Sequence, residues 1–572
     1  MLKRLIAGTL SAIISTTAVL PNHLSNVVIH EAKAASQNED SFSSKYDINS
    51  TNLVGNPFDQ EILFEDTGAL NKERVINPDE NETVTDVVVT QTVTTQQTFV
   101  TQTLPALSFT TNEIISETGS LGENISYTLY SDGYLYVSGY GDMNDFGSSP
   151  FRDPSLIKYA VIESTGDEKS GEIITSIGNN TFINCSNMES INLPQTIKRI
   201  GKNAFRNCSS LSTISYDEYD NANYPEGKLV MPEAVTSVEE YAFANCASIT
   251  DIDISGNVSE IKDYAFSDCT SLKKVVIGEG TESIGYHIFS GCSAVEDITI
   301  PYMGHSLAEV NEEGSKQEFS DFFLNGNGED YYEIYNAGNW RRYIPKSLKS
   351  ITVTGGTRIP NYAFYRIPGV KNITVPSMIK SFGAYSYADC VALENANVPE
   401  GAESIGNYAF SNCSSSDFKT VKLPSTLASI GSYVFNGCKG LTNITIPKSV
   451  KTIGEYTFNN CSALNTVVIY GGADGIGNHI FNGCKSLADL TLPFAGLNEK
   501  TIDDPDTRNE LSVLFLNGDD KDYYEIYNSG NWRRYIPKSL KKITVLSGTR
   551  LSDFAFYRFT GVESFVLPNS MT

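Results

Sequence analysis

Apolar residues along most of this chain recur in one phrase of about 23 residues. Typical copies are VTSVEEYAFANC (235–246) and LASIGSYVFNGC (427–438). Ten copies end in Cys, two end in Ile367 or Phe559, and six of the nine intervals between successive Cys are 23 residues. This period is too long for a coiled coil and is typical of a solenoid that makes one coil per repeat. The pattern therefore predicts a solenoid of twelve recognisable coils.

Each coil is predicted to contain a short strand and a turn. After the Cys comes a segment such as LKKVVI (272–277), whose apolar positions alternate with one that can face water, so it predicts a short strand with one buried face. The Ile-Gly pair before the next turn predicts a second inward contact and a tight bend. The YAF segment is too short for a free helix, so we expect a single helical or 3₁₀ turn with Phe and Cys pointing inward.

All ten cysteines occupy the same position of the repeat. Such regular spacing favours small buried thiols in the core over a disulfide framework, and the chain has no CxxC pair of the kind that zinc sites use. They are Cys185, Cys208, Cys246, Cys269, Cys292, Cys390, Cys413, Cys438, Cys461 and Cys484.

The strand pattern LxxVxI followed by VxxIGxYAFxxC closely resembles the BspA-type bacterial leucine-rich repeats, and the resemblance covers about residues 113–572. It implies a leucine-rich-repeat solenoid of short parallel strands with a β-rich N-terminal cap over 113–170. It also implies a surface or secreted protein used in adhesion and partner binding, with no shared catalytic residues. Such a repeat specifies the fold strongly and the ligand weakly.

The N-terminus indicates export. Lys3 and Arg4 precede an apolar run, and Ala32-Lys33-Ala34 supplies small residues before a cleavage point, so residues 1–34 are predicted to be a signal peptide. Residues 35–112 form a linker rich in Thr, Val and Gln, which would be disordered or would add a strand. No later segment is apolar enough to predict a membrane span in the mature chain.

The repeats are interrupted by two inserted segments. We predict leucine-rich repeats over 171–300, 348–492 and 540–572, and inserts over 301–347 and 493–539. The sequence stops where the next repeat would begin, so we expect a truncated array with further sequence beyond residue 572.

The inserts are two copies of one segment, and part of each copy is unusually well preserved. Over 301–329 the first copy shares 8 of 29 residues with the second, whereas over 330–349 it shares 19 of 20. The preserved part reads DYYEIYNxGNWRRYIPKSLK, and Tyr, Trp and Arg are the residues that dominate binding hot spots. The candidate ligand-binding residues are Tyr331, Tyr332, Tyr335, Trp340, Arg341, Arg342, Tyr343, Tyr523, Tyr524, Tyr527, Trp532, Arg533, Arg534 and Tyr535.

A structural interpretation of the preserved segment competes with the binding interpretation. An ordered insert needs apolar contacts of its own. In this interpretation the insert folds back on the solenoid, Tyr335 and Trp340 form its core, and Arg341 pairs with a neighbouring acidic residue.

The net charge and the motifs of the chain limit the range of functions that it can have. A net charge of −26 disfavours nucleic acid and anionic membranes as partners. Only three His follow the predicted signal peptide, and no hydrolase, metalloprotease or phosphate-loop motif is present, so we predict no enzyme, no metal and no cofactor. The predicted function is secreted or cell-surface binding of an extracellular protein or polysaccharide. The alternative is a repeat spacer or targeting module of a larger secreted enzyme or cellulosome-type component.

Overall fold

The structure is a computed structural model. It describes residues 114–166, 169–216, 227–254, 257–472, 474–498, 510–516, 518–527, 533–551 and 554–571. The predicted signal peptide and the predicted linker lie outside these residues.

One wall of the solenoid is built from the strands that the LxxVxI pattern predicts. Neighbouring coils pair in parallel and in register, so that Ile252 lies beside Val275 and Ile254 beside Ile277, all four buried. The predicted single buried face is confirmed. The strands of this wall are Tyr159–Ser164, Ser190–Asn192, Thr213–Ser215, Lys228–Val230, Asp251–Ile254, Lys274–Ile277, Asp297–Ile300, Ser350–Val353, Asn372–Thr374, Asn395–Ala396, Thr420–Val421, Asn443–Ile446, Thr466–Ile469, Asp489–Leu492, Lys542–Val545 and Ser564–Val566.

A second wall of strands forms where the sequence predicted an inward apolar contact and a tight bend. The Ile of the Ile-Gly pair, or the Val or Phe that replaces it, ends a mostly two-residue parallel strand and is buried against the next coil. Two residues are too few to show an alternating pattern, so sequence alone does not identify them as strands. They are Ile174–Ile177, Arg199–Ile200, Ser237–Val238, Glu260–Ile261, Ser283–Ile284, Arg358–Ile359, Ser381–Phe382, Ser404–Ile405, Ser429–Ile430, Thr452–Ile453 and Gly475–Ile476.

The YAF segment makes tight turns, but not the helical or 3₁₀ turn that we expected. Two of its residues have left-handed backbone, as at Tyr408 (φ 59°) and Asn412 (φ 60°). Backbone N–H groups therefore alternate: that of Ser411 donates to Tyr408 O in the same coil, and that of Phe410 donates to Val434 O in the next. This alternation satisfies the buried backbone of a segment that is neither helix nor strand.

Aromatic rings stack along this turn wall. The half-exposed rings of Tyr362, Tyr385, Tyr408, Tyr433 and Tyr456 follow one another with centroids 4.6–5.1 Å apart. The stacks offset part of the strain of their left-handed backbone, which is uncommon for a bulky residue.

Phe and Cys form parallel ladders in the core, as predicted. All ten cysteines are free and buried. A thiol donates to the carbonyl of the Phe or Tyr one coil back, as from Cys461 Sγ to Phe435 O at 3.0 Å. Burial raises the pKa of the Cys390 thiol to about 12, so it stays protonated and can donate.

The expected β-rich cap closes the first coil. Its strands Ile115–Gly122, Asn124–Tyr130 and Tyr134–Asp142 form an antiparallel meander. The third strand continues into the solenoid, because it pairs in parallel with Tyr159–Ser164 of the first wall and, at Gly141, with Ile174 of the second.

Helical structure is sparse in the described residues. It comprises the α-helix Leu307–Asn311 and the 3₁₀ turns Pro154–Leu156, Phe319–Phe322 and Leu511–Leu514. None of the described helices is long and apolar enough to cross a membrane.

Candidate binding site

The first part of each insert continues the solenoid. In the first insert, Ile284 N donates to His305 O at 2.8 Å, and Phe289 N donates to Phe322 O at 3.0 Å. On the other side, Phe319 N donates to Ala363 O at 2.8 Å. This part of the insert therefore takes the position of one turn in the stack of coils.

The preserved part of the insert is a β-hairpin. Strands Tyr331–Tyr335 and Arg341–Pro345 pair antiparallel, with Glu333 opposite Tyr343 and Ile334 opposite Arg342. Because side chains alternate along a strand, Glu333 shares one face with Tyr335, Arg341 and Tyr343. Ile334, Arg342, Tyr332 and Ile344 share the other.

The second of these faces packs inward. Ile334 and Ile344 are buried, and the Tyr332 ring lies against Gly369 of the following coil, where a Cβ atom would come within 2.8 Å of the ring. Arg342 Nε lies 3.3 Å from Asp321 Oδ1, with both side chains less than one-fifth exposed. Together with Tyr331, which is buried at the base of the hairpin, these residues form the core of the insert.

The outward face carries the exposed aromatic residues. Trp340 is 71% exposed and Tyr335 is 42% exposed, so the alternative in which they form the core of the insert is wrong. Arg341 Nε lies 3.1 Å from Glu333 Oε1, as that alternative expected of a neighbouring acid. This exposed carboxylate raises the pKa of the Arg341 guanidinium. A solvent-exposed pair of this kind adds little to stability, so Arg341 can exchange Glu333 for a ligand.

The hairpin turn fixes the position of Trp340. The Asn336 side chain is buried, and its Oδ1 accepts hydrogen bonds from Gly338 N at 3.0 Å and Trp340 N at 3.1 Å. Asn339 completes the turn with a left-handed backbone (φ 62°). An Asn that caps its own turn in this way removes freedom from the backbone that carries the indole.

Two polar contacts fasten the hairpin to the solenoid. Ala337 N donates to Glu318 Oε1 at 3.2 Å, and Arg366 Nη1 donates to Tyr335 O at 3.2 Å. Glu318 is buried, and burial raises the pKa of its carboxyl, while Lys316 lies 3.3 Å from it and opposes that shift. These contacts therefore hold the hairpin against the solenoid and fix the position of its exposed aromatic face.

The second insert repeats this hairpin with Tyr523–Tyr527 and Arg533–Pro537 in the same register. Arg533 Nε lies 3.1 Å from Glu525 Oε1, and Tyr527 is 38% exposed. Trp532 lies outside the described residues.

The hairpins divide the candidate residues into two groups. Tyr335, Trp340, Arg341 and Tyr343 lie on the outward face or the turn, as do Tyr527, Arg533 and Tyr535 in the second copy. Tyr331 and Tyr523 are buried and therefore hold the fold instead of meeting a ligand. The inward pairs Tyr332 with Tyr524 and Arg342 with Arg534 are only partly exposed.

Sequence reasoning missed the residues that support the hairpin, namely Asn336, Glu318 and Asp321. Asn336 could have been found from the sequence, because an Asn two residues before a Gly is typical of a turn. Among the residues that the structure describes, no group of three or more His, Cys, Asp or Glu is placed to hold a metal ion.

Comparison with known proteins supports the repeat assignment. Six copies of a family model described as the BspA type leucine rich repeat region match residues 175–313, 343–418 and 414–503, more than half of the chain. A search of curated proteins finds no match.

Several solved structures are similar to this chain at low identity. A leucine-rich repeat protein from Bacteroides ovatus is 19% identical with a TM-score of 0.34, over 78% of this chain and 99% of that one. A leucine rich cell surface protein from Faecalibacterium prausnitzii is 19% identical with a TM-score of 0.22, over 62% and 95%. The pneumococcal vaccine antigen PcpA is 16% identical with a TM-score of 0.28, over 79% and 99%. The strands and the repeat, and not these similarities, define the fold of this chain.

Proposed function

This chain belongs to the BspA-type leucine-rich-repeat family, and on that premise we propose that it is an exported binding protein. In this proposal the solenoid presents the outward faces of the two hairpins to an extracellular protein or polysaccharide, and the chain performs no catalysis of its own. Export is supported by Lys3 and Arg4, the apolar run that follows them, and Ala32-Lys33-Ala34.

The observation that carries the proposal is the exposure of Trp340. An indole that is 71% exposed contributes little to the core of the insert, which Tyr331, Ile334 and Ile344 already supply. The preserved segment keeps Trp at this position in both copies, although the rest of the insert has diverged. Contact with a partner is a physical reason for a rigid, exposed Trp beside Tyr and Arg.

Paired binding measurements test the proposal. The labelled mature chain and its Trp340→Ala, Trp532→Ala double variant are applied to arrays of extracellular proteins and of glycans. Removing a hot-spot Trp from an interface loses about 2 kcal/mol or more, or about thirtyfold in affinity. We therefore expect at least one ligand that the wild type binds and the double variant binds at least about thirtyfold more weakly.

Tyr470→Ala is the matched control, because Tyr470 is a 50% exposed aromatic residue of the solenoid outside both inserts. It should bind that ligand as the wild type does. Ligands held equally by the wild type and the double variant would contradict the hairpin site. No ligand on either array would favour the spacer interpretation.

A further inference from the structure

The two hairpins differ in how their inward arginine is neutralised. In the first, Arg342 lies opposite Ile334, its Nη1 donates to Arg341 O at 3.1 Å, and its Nε meets the Asp321 carboxylate at 3.3 Å. The side chains of Arg342 and Asp321 are 18% and 19% exposed. A charge with so little access to water requires a partner, and Asp321 supplies it.

In the second hairpin this carboxylate is missing. Val513 stands at the position equivalent to Asp321, as the backbone shows: His287 N donates to Asp321 O, and His479 N donates to Val513 O. Arg534 otherwise repeats Arg342, since it lies opposite Ile526 and its Nη1 donates to Arg533 O at 3.1 Å.

Among the residues that the structure describes, no carboxylate takes the place of Asp321 beside the Arg534 guanidinium. Its Nε is buried and has no hydrogen-bond partner, and no carboxylate among the described residues lies within 4.0 Å of it. His479 cannot supply a negative charge, because an imidazole is either neutral or cationic; burial and the nearby Arg534 both lower its pKa and so favour the neutral form. Breaking a buried ion pair by removal of one partner is strongly unfavourable. Within the described part of the chain, the second hairpin therefore lacks the carboxylate that Asp321 supplies to Arg342 in the first.

We propose that Arg534 binds a carboxylate of the partner, in the role that Asp321 plays within the first insert. Arg534 is partly exposed, so an acidic group of the partner can approach the part of its side chain that is open to solvent. This inference rests on the proposed function, because the hairpins must first meet a partner. The two inserts therefore differ. In the first, Asp321 compensates the charge of Arg342, whereas in the second Arg534 binds an acidic group of the partner.

The partner group is a single acidic side chain of a protein. One guanidinium accommodates one carboxylate, in a bidentate or single contact. A chain with a net charge of −26 repels a polymer that carries a carboxylate on every second sugar, whereas an isolated Asp or Glu on a protein surface meets no comparable barrier.

Two reciprocal substitutions test the site on the full mature chain. The probes are the blocked peptide acetyl-Gly-Glu-Gly-amide, its Gln counterpart, and a glucuronate-containing oligosaccharide, with affinity and stoichiometry measured by titration calorimetry or ligand-observed NMR. Val513→Asp restores the internal carboxylate and should weaken binding of the Glu peptide about tenfold or more. Asp321→Val frees Arg342 and should raise the stoichiometry from one to two. The wild type already tolerates Val at the equivalent position, so this variant is expected to fold.

The Gln peptide should bind the wild type about tenfold more weakly than the Glu peptide. Equal affinity for the two peptides, or unchanged binding in Val513→Asp, would overturn the site. Tighter binding of the oligosaccharide than of the Glu peptide would overturn the assignment of a protein partner. If Val513→Asp leaves the peptide result unchanged while the double Trp variant still loses its array ligand, this inference fails and the proposed function stands. If the Trp residues also prove dispensable, both fail.

Discussion

Asn336 offers the sharpest test of how the hairpin turn positions Trp340. Asn336→Ala removes an acceptor that holds two backbone N–H groups, those of Gly338 and Trp340. At about 1 kcal/mol for each net hydrogen bond, the turn should lose about 2 kcal/mol of local stability, which corresponds to about thirtyfold faster amide exchange. The hairpin ladder and Asn339 N to Asn336 O remain, so the insert stays folded.

Hydrogen–deuterium exchange resolved to single amides measures this effect. The Gly338 and Trp340 amides should speed up, while strand residues 443–446 and 466–469 of a distant coil stay unchanged and serve as the internal control. Asn336→Ser keeps an oxygen of shorter reach and should produce a smaller increase. Unchanged exchange at Trp340 in the Ala variant, or equal acceleration in the Ser variant, would refute the idea that the Asn336 side chain fixes the turn.

Three further predictions address the solenoid. All ten thiols should resist iodoacetamide in the native protein at neutral pH, because all ten are buried, and all ten should react in urea; fewer than ten reactive thiols in urea would indicate disulfides. Phe435→Ala should cost about 3–5 kcal/mol in urea unfolding, since Phe435 is fully buried between Phe410 and Phe458, whereas the exposed Phe554→Ala should cost less than about 1 kcal/mol. Burial lowers the pKa of His479 in the folded chain below its ordinary value of about 6.5. At a pH just below 6.5 the unfolded chain therefore binds more protons than the folded one, and the stability of the fold should decrease as the pH drops through this value. His479→Tyr, the residue that Tyr456 places in the preceding coil, should make the thermal midpoint less dependent on pH over that range.

The sequence predicted the solenoid well because its signals are repeated in every coil. The 23-residue period, the inward Phe and Cys, and the strand after each Cys all reappear in the structure. The left-handed turns could also have been found, because an Asn, Asp or Gly precedes each Cys, and these residues tolerate positive φ. The stacked Tyr rings could not, since their spacing follows from how the coils stack.

The candidate site was only half predictable. Residue types identified the segment, but the direction of each side chain depends on which face of the hairpin meets the solenoid. That choice rests on contacts distant in sequence, such as Tyr332 with Gly369 and Arg342 with Asp321. Sequence alone therefore could not separate the buried Tyr331 from the exposed Tyr335.

The fluorescence of Trp340 measures directly whether this indole faces solvent and is free to meet a ligand. The chain has two Trp, so Trp532→Phe leaves Trp340 as the single indole. Acrylamide, a neutral quencher, avoids bias from the net charge of −26. With 71% of the side chain exposed, Trp340 should emit at the wavelength of a water-exposed indole and be quenched strongly in the native protein, nearly as in urea. A blue-shifted emission that acrylamide quenches only after unfolding would place Trp340 in a core and contradict its proposed role in binding.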